Sequence, residues 1–266
     1  MKYRQTDRQS NLLRELEALA DLPRPVYGQR LSLANQAIEE RHRHPWIQLS
    51  YAAEGVLTVE TARARLVAPP HRAVWIPPGM EHGVQCDPNT RIRSIYVIPG
   101  VMPYRACEVV EISPLLRALI IEFSGFPVEY DEHGPQGRLV QVLLDQLSTA
   151  PVSDLVLPWP VDPRLVQVCG YVAEHVDSEL ALSSFSTQLG VSDKTLSRLF
   201  LKETGMTFRQ WRQRSRLLAA LPLLERRMRI TDVALECGYS NLSAFIAAFR
   251  ALLGCTPREY LTASLA

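Results

Sequence analysis

What this 266-residue chain lacks removes several classes of protein at once. No apolar run approaches the roughly 20 residues that a membrane-spanning helix needs, and Met1-Lys2-Tyr3-Arg4-Gln5 opens no signal-peptide pattern. The expectation is a soluble, cytoplasmic protein with no membrane partner. Cysteine is scarce: Cys86, Cys107, Cys169, Cys237 and Cys255 are scattered and odd in number, with no C-x-x-C pair. They read as reduced, packed residues, not as a disulfide framework or a zinc knuckle. There is no glycine-rich phosphate loop and no convincing nucleophile–base pair, so the usual signs of nucleotide hydrolysis and covalent catalysis are missing. Net charge is nearly absent as well, at +1. That balance is uneven, because residues 164–266 carry 13 Lys+Arg against 9 Asp+Glu while the remainder is slightly acidic.

What is present divides along the chain. With 47% apolar residues, the length suits one large or two modest domains with real cores. A short amphipathic piece, Leu12 to Leu19, is stopped by Pro23 and Pro25. From about Val26 to Pro99 short alternating runs (Trp46–Tyr51, Val56–Glu60, Arg63–Val67, Ala73–Ile76, Arg91–Ile98) are separated by Pro, Gly and Asp/Asn clusters. Many short strands at this spacing predict a barrel or a double-sheet jelly roll. Helical periodicity then takes over in Pro114–Phe123 and Gln136–Leu147, a pair that covers the barrel or forms a dimer interface. A proline-rich stretch leads into a wholly helical remainder. The expected organisation is a barrel over 1–107, covering or dimerising helices over 108–150, a linker over 151–163 and a helical domain over 164–266. The fold class is α+β with two domains.

The helical part states one pattern twice. Gly190-Val191-Ser192 aligns with Gly238-Tyr239-Ser240; after a one-residue insertion, Leu196 aligns with Phe245, Phe200 with Phe249, Gly205 with Gly254, Thr207 with Thr256 and Trp211 with Tyr260. Each copy has a short apolar-periodic helix, a glycine suited to a left-handed turn, a Ser or Asn cap and a second amphipathic helix: a helix-turn-helix. On the first second-helix, Leu196, Leu199 and Phe200 share an inward face, while Lys194, Ser197 and Arg198 lie opposite, within the turns a major groove admits. Arg198 suits bidentate contact with guanine, and Lys194 suits a base or a phosphate. The matching positions of the second copy are Ser243, Ile246 and Ala247, which make no bidentate contact but suit thymine methyls or backbone docking. Between the copies Phe208 to Leu224 reads as one helix, roughly 25 Å long, which sets the two reading helices about one duplex turn (~34 Å) apart. A basic C-terminal part fits this reading.

Ile230-Thr231-Asp232-Val233-Ala234, Cys237-Gly238-Tyr239-Ser240, Ser243-Ala244-Phe245, Phe249-Arg250, Gly254 and Thr256-Pro257-Arg258-Glu259-Tyr260 resemble the AraC/XylS family of transcription regulators over residues 165–262. Arg209 to Leu218 looks like that family's linker helix. The resemblance implies a seven-helix DNA-binding domain, with base-facing positions at Lys194, Ser197, Arg198, Leu242, Ser243, Ile246 and Ala247. Ser192, Thr195 and Asn241 join the expected DNA contacts at the two helix starts. Two departures stand out: Leu261 replaces a frequent Arg, and the second reading helix lacks polar readers.

In the β-rich part, His42-Arg43-His44-Pro45-Trp46-Ile47-Gln48 enters a strand, and Pro77-Pro78-Gly79-Met80-Glu81-His82 returns a third histidine. Period-2 geometry puts His42, His44, Trp46, Gln48 and Ser50 on one face and Ile47, Leu49 and Tyr51 on the other. This resembles the cupin fold, whose metal-binding members use H-x-H, a Glu about four residues on and a late His; here Gln48 stands at the Glu position. Three imidazoles suit a divalent metal (Zn, Ni, Fe or Cu), and equally line a polar pocket. Trp46, Gln48 and Trp75 are the candidate ligand-binding residues. The expected function is a sequence-specific transcription regulator whose cupin-like domain senses a small molecule or metal. Its expected partners are promoter DNA, the effector, RNA polymerase and a second copy of the chain. The alternatives are a metal-dependent cupin enzyme with an accessory DNA-binding tail, and an architectural DNA-binding protein with an inert barrel.

Overall fold

The computed structural model describes residues 2–19, 21–103 and 105–263. Its elements are α1 (Lys2–Ala18), β1 (Val26–Tyr27), a 3-10 turn (Leu33–Asn35), β2 (Ile47–Glu54), β3 (Leu57–Glu60), β4 (Ala64–Ala68), β5 (Arg72–Ile76), β6 (Gly83–Cys86), β7 (Arg91–Ile92), β8 (Ile95–Val97) and β9 (Glu108–Glu111). There follow α2 (Pro114–Ser124), α3 (Pro135–Ser148), β10 (Val152–Ser153), β11 (Val156–Pro158), α4 (Pro163–Glu174), α5 (Leu182–Gln188), α6 (Asp193–Thr204), α7 (Phe208–Glu225), α8 (Ile230–Glu236), α9 (Leu242–Leu253) and α10 (Pro257–Ala263). The chain forms two compact units: residues up to Thr61 with Leu66–Leu155, and Ala62–Arg65 with the chain from Val156 onward.

The first unit is a double-sheet antiparallel structure. One sheet runs β1-β8-β2-β5-β9-β10 with β7 also on β2, and the other contains β4-β3-β6. Strand β2 is buried at seven successive positions, which happens when both faces of a strand are covered. Leu49, Tyr51 and Ala53 of β2 and Ala73 and Trp75 of β5 join an apolar layer with Leu116, Ile120 and Phe123 of α2 and Val140, Leu143 and Leu147 of α3. Burying side chains of this size stabilises by about 1.5–3 kcal/mol each. Inside that layer Tyr51 Oη donates to the Pro70 carbonyl at 2.9 Å, and Arg117 of α2 donates to Tyr51 Oη at 2.9 Å and to the Ala53 carbonyl at 2.8 Å.

Two sequence boundaries move. The segment 108–150 does not begin as helix: β9 pairs with β5 (Ala73 with Val110, Val74 with Val109) and β10 pairs with β9, so α2 and α3 are inserted between two strands of one sheet. A four-residue strand with both valines buried is too short to display its period. The stretch 151–163 is likewise not a plain linker, because it holds β10 and β11. The expected strand Arg91–Ile98 is split into β7 and β8, where Ser94 Oγ accepts the Tyr51 N–H at 3.0 Å in place of a ladder bond.

Among its described residues the second unit holds seven helices, α4 to α10. The duplication extends to the caps. Ser192 Oγ accepts the Thr195 N–H, and Asn241 Oδ1 accepts those of Ser243 and Ala244. Thr207 with Gln210 and Thr256 with Glu259 form paired capping boxes at the starts of α7 and α10. Phe200 meets Trp211 edge-on, as Phe249 meets Tyr260. Since Asn241, not Ser240, is the second N-cap, the inserted residue lies before the cap and Ser240 is the extra one.

Gly190 and Gly238 both turn the chain at positive φ, 66° and 72°. They differ in surroundings. A Cβ at Gly190 would meet nothing within 4 Å, whereas at Gly238 it would lie 2.7 Å from the Arg216 guanidinium and 2.8 Å from Asp177 Cα. Arg216 is held there by the carbonyls of Val176, Asp177 and Ser178. Gly190→Ala is therefore expected to cost only left-handed strain, about 1–2 kcal/mol. Gly238→Ala should cost clearly more; equal losses of unfolding midpoint would contradict the contact.

Candidate sensory site and nucleic-acid interface

The three histidines converge. His42 and His82 form an antiparallel bridge, each N–H donating to the other's carbonyl at 2.9 Å, and the Gly79 N–H donates to the His44 carbonyl at 2.8 Å. Ring centroids stand 4.4 Å apart for His42–His82, 5.2 Å for His44–His82 and 6.0 Å for His42–His44. One nitrogen from each lies within 4.8 Å of the others.

Backbone oxygens orient these rings. Nδ1 of His42 lies 2.8 Å from the Glu40 carbonyl, that of His44 3.1 Å from the Trp46 carbonyl and that of His82 2.9 Å from the Met80 carbonyl. A neutral imidazole has one N–H, and a carbonyl at Nδ1 fixes it there, leaving the Nε2 lone pair for a metal. Burial holds the rings neutral: it pulls His44 down to about 4 and His82 to about 3, in both cases helped by the neighbouring His42, and it lowers His42 as well. The Gln48 amide oxygen lies 2.9 Å from His44 Nε2 and 3.1 Å from His82 Nε2. An oxygen there suits a bound cation, which three nitrogens and one oxygen would surround. Without an ion, two lone pairs would face that oxygen. A half-turn of the amide brings NH2 to the same place and satisfies both imidazoles.

The depressed histidines predict a pH dependence. Their folded values lie below the ordinary 6.5, so the unfolded chain binds more protons at intermediate pH. Stability is then complete above about pH 6.5 and falls as pH drops toward the folded values, by about 1.4 kcal/mol per pH unit for each histidine. Denaturant unfolding of the first unit at pH 7.5, 6 and 5 measures this; a flat profile would contradict the buried neutral pair.

The candidate ligand residues separate. Trp46 is buried, stacked 5.4 Å from His44 and 5.6 Å from Tyr96. Trp75 does not reach the histidines. It pairs with Leu49 on the helix-covered face, whereas Val74 and Ile76 pair with Ser50 and Gln48, so the alternation of the strand carries it away. Arg105 lies over its ring at 5.5 Å. Beside His42 and His44 opens a cavity of about 690 Å³, walled by Leu13 and Leu16 of α1 and by Arg41, Arg43 and Trp46. The sequence signal of the α1 wall is the apolar spacing of residues 12–19.

In the second unit α6 turns Leu196 and Phe200 inward and exposes Ser192, Lys194, Thr195, Ser197 and Arg198. Among the described residues neither Lys194 nor Arg198 has a hydrogen-bonding or ion-pairing side-chain partner. Ser186 Oγ and Asp193 hydrogen-bond across the turn, fixing α5 to α6. On α9, Phe245 and Phe249 are buried, Asn241, Leu242, Ser243 and Ala247 are exposed and Ile246 is half-buried. Arg250, which is not among the expected contacts, is exposed and lines a groove with Ser243, Ile246 and Ala247. Its signal was the helical spacing from Ala247.

The model of the AraC-like ligand binding domain matches residues 25–155, and that of a helix-turn-helix domain matches residues 185–263. The HTH-type transcriptional regulator NimR of Escherichia coli (strain K12) is 35% identical over 222 residues, which are 83% of this chain and 81% of that protein. The chain belongs to the AraC family of transcription regulators. The HTH-type transcriptional regulator ExsA of Pseudomonas aeruginosa is 35% identical over 124 residues, 46% of this chain and 40% of its own length. A crystal structure of the DNA-binding domain of AdpA in complex with a target DNA is 30% identical, with a TM-score of 0.36 over 38% of this chain and 92% of that one. This AraC-family protein is thus a sequence-specific DNA-binding regulator with a ligand-sensing N-terminal domain, and the relatives are regulators, not enzymes. Among the described residues no helix is long and apolar enough to cross a membrane.

Proposed function

We propose that the sensory domain of this regulator responds to a divalent metal, or to a small molecule held by one, at His42, His44 and His82. The carrying observation is that each ring has a carbonyl at Nδ1 and that one nitrogen from each lies within 4.8 Å of the others, with Nε2 of His44 and of His82 both against the Gln48 oxygen. Three neutral imidazoles with an amide oxygen from Gln48 fit Zn, Ni, Cu or Fe(II). His42, His44 and His82 would hold such an ion, which would supply a Lewis-acid centre beside the adjoining cavity. Gln48 also favours a metal-free reading, in which its NH2 group serves both imidazoles and the cavity takes an organic effector alone.

At the other end, α6 reads bases through Lys194, Ser197 and Arg198, with Ser192 and Thr195 at phosphates. Helix α9 presents Leu242, Ser243, Ile246 and Ala247 to thymine methyls, and Asn241 and Arg250 to the backbone. Leu115 and Ile121 of α2 and Val142 of α3 are exposed, and this helix pair is suited to meet a second copy of the chain. The protein works in the cytoplasm at promoter DNA, where it meets RNA polymerase. Its effector acts by binding one of two states better than the other. A footprint of the full-length protein on a site selected from random duplexes tests the DNA reading. Protection across two successive major-groove turns, with guanine interference under only one, is expected. A single protected turn, or no interference at any base, contradicts it.

A further inference from the structure

The sensory unit has another polar cavity, of about 500 Å³, lined by Arg30, Arg91 and Arg93. Arg91 and Arg93 flank Ile92, which is turned into the core, so the two guanidiniums share one side of the chain. Arg30 arrives from the loop after β1. The bases of two arms are fixed: the Arg93 N–H donates to the Tyr51 carbonyl at 2.8 Å and the Arg30 N–H to the Ser124 carbonyl at 2.9 Å.

Three cations are gathered here, and Arg93 feels the like charge of the other two. Burial, and then the like charges of Arg91 and Arg30, weaken the hold of Arg93 on its proton, and the carboxylate acting against this is Glu54. Glu54 is already the partner of Arg91, at 2.7 Å. Arg93 spends one donor on the Ile92 carbonyl at 2.6 Å. Among the described residues the Arg30 guanidinium has no hydrogen-bonding or ion-pairing partner. Glu39 and Asp87 also line the cavity, and each has an interaction of its own. Guanidiniums crowded in a concave site repel one another, and an oxyanion relieves this because their planar forks match its oxygens.

We infer that this cavity binds the oxyanion group, carboxylate or phosphate, of a small molecule through Arg30, Arg91 and Arg93, giving the regulator a ligand site separate from the histidines. The test is thermal unfolding of the full-length protein titrated with inorganic phosphate or with succinate, at an ionic strength held constant with chloride. A saturable rise of the midpoint is expected with at least one anion, and whichever acts at lower concentration identifies the group. The apparent Kd should weaken at least about tenfold in Arg30→Gln and in Arg93→Gln. His82→Ala should retain the response, which separates this site from the metal reading. Arg30 is exposed, so its variant keeps the test open if Arg93→Gln does not fold. No saturable response in the wild type overturns the inference; so does an equal response in Arg30→Gln, which would put the anion on the DNA-binding unit.

Discussion

Zn(II) added to a His82→Ala variant should leave its unfolding midpoint where it was, while the wild-type sensory unit gains stability. An ion at 100 to 1,000 times its Kd stabilises the folded state by about 2.7 to 4.1 kcal/mol. His82 is fully buried between His42 and Gln48, and removing it takes away one nitrogen of three. His82→Gln is the companion variant, since it fills the space and keeps a hydrogen-bonding group. Gln48→Glu should act in the opposite direction by placing a carboxylate where the amide oxygen now stands, tightening the ion and raising the concentration of chelator needed to strip it. Calorimetric unfolding with and without the ion measures all three. Cys107, Cys169 and Cys237 offer poor competition, because burial pushes the Cys107 and Cys237 thiols up to about 12 and Cys169 upward too. An undiminished Zn(II) response in both His82 variants would place the ion elsewhere.

The second large effect concerns one side chain on α6. Arg198→Ala is expected to cost about 1–3 kcal/mol, roughly 5- to 150-fold in affinity, on DNA carrying its guanine, and little on DNA where that base is already replaced. Arg250→Ala serves as the contrast. As a phosphate contact it should weaken all sequences alike and reduce the salt slope by about one. Affinities on the selected site and on single-base variants, each at several salt concentrations, separate the two. Loss without base preference at Arg198 would make it a phosphate contact and shift the reading of sequence to Lys194 and Ser197.

The second unit was legible because its information is local. A glycine at positive φ, a capping Ser or Asn, and a phenylalanine eight residues beyond the cap are short-range requirements, and the chain meets them twice. What the letters did not show was the point of insertion, since Ser192 and Ser240 look alike and only the hydrogen bonds of Asn241 identify the second cap. In the sensory unit the histidines were visible through H-x-H alternation, and their convergence needed the antiparallel bridge between His42 and His82, 40 positions apart. The face that Trp75 occupies is set by its cross-strand partner, Leu49, which the letters alone do not reveal. Strand β9 hid in four residues. The wall formed by α1 and the gathering of Arg30 with Arg91 and Arg93 both depend on segments far apart in the chain, which no local pattern records.

The most direct measurement is the affinity of full-length protein for its selected DNA site, with and without Zn(II), in wild type and in His82→Ala. A regulator whose histidine centre governs DNA binding should show a wild-type affinity that changes with the ion by about 5- to 150-fold, the usual range of coupling between sites, and a variant that does not respond. The same affinity in the wild type with and without the ion, at concentrations that stabilise its sensory unit, would show that ion binding there does not reach the DNA and would contradict the account.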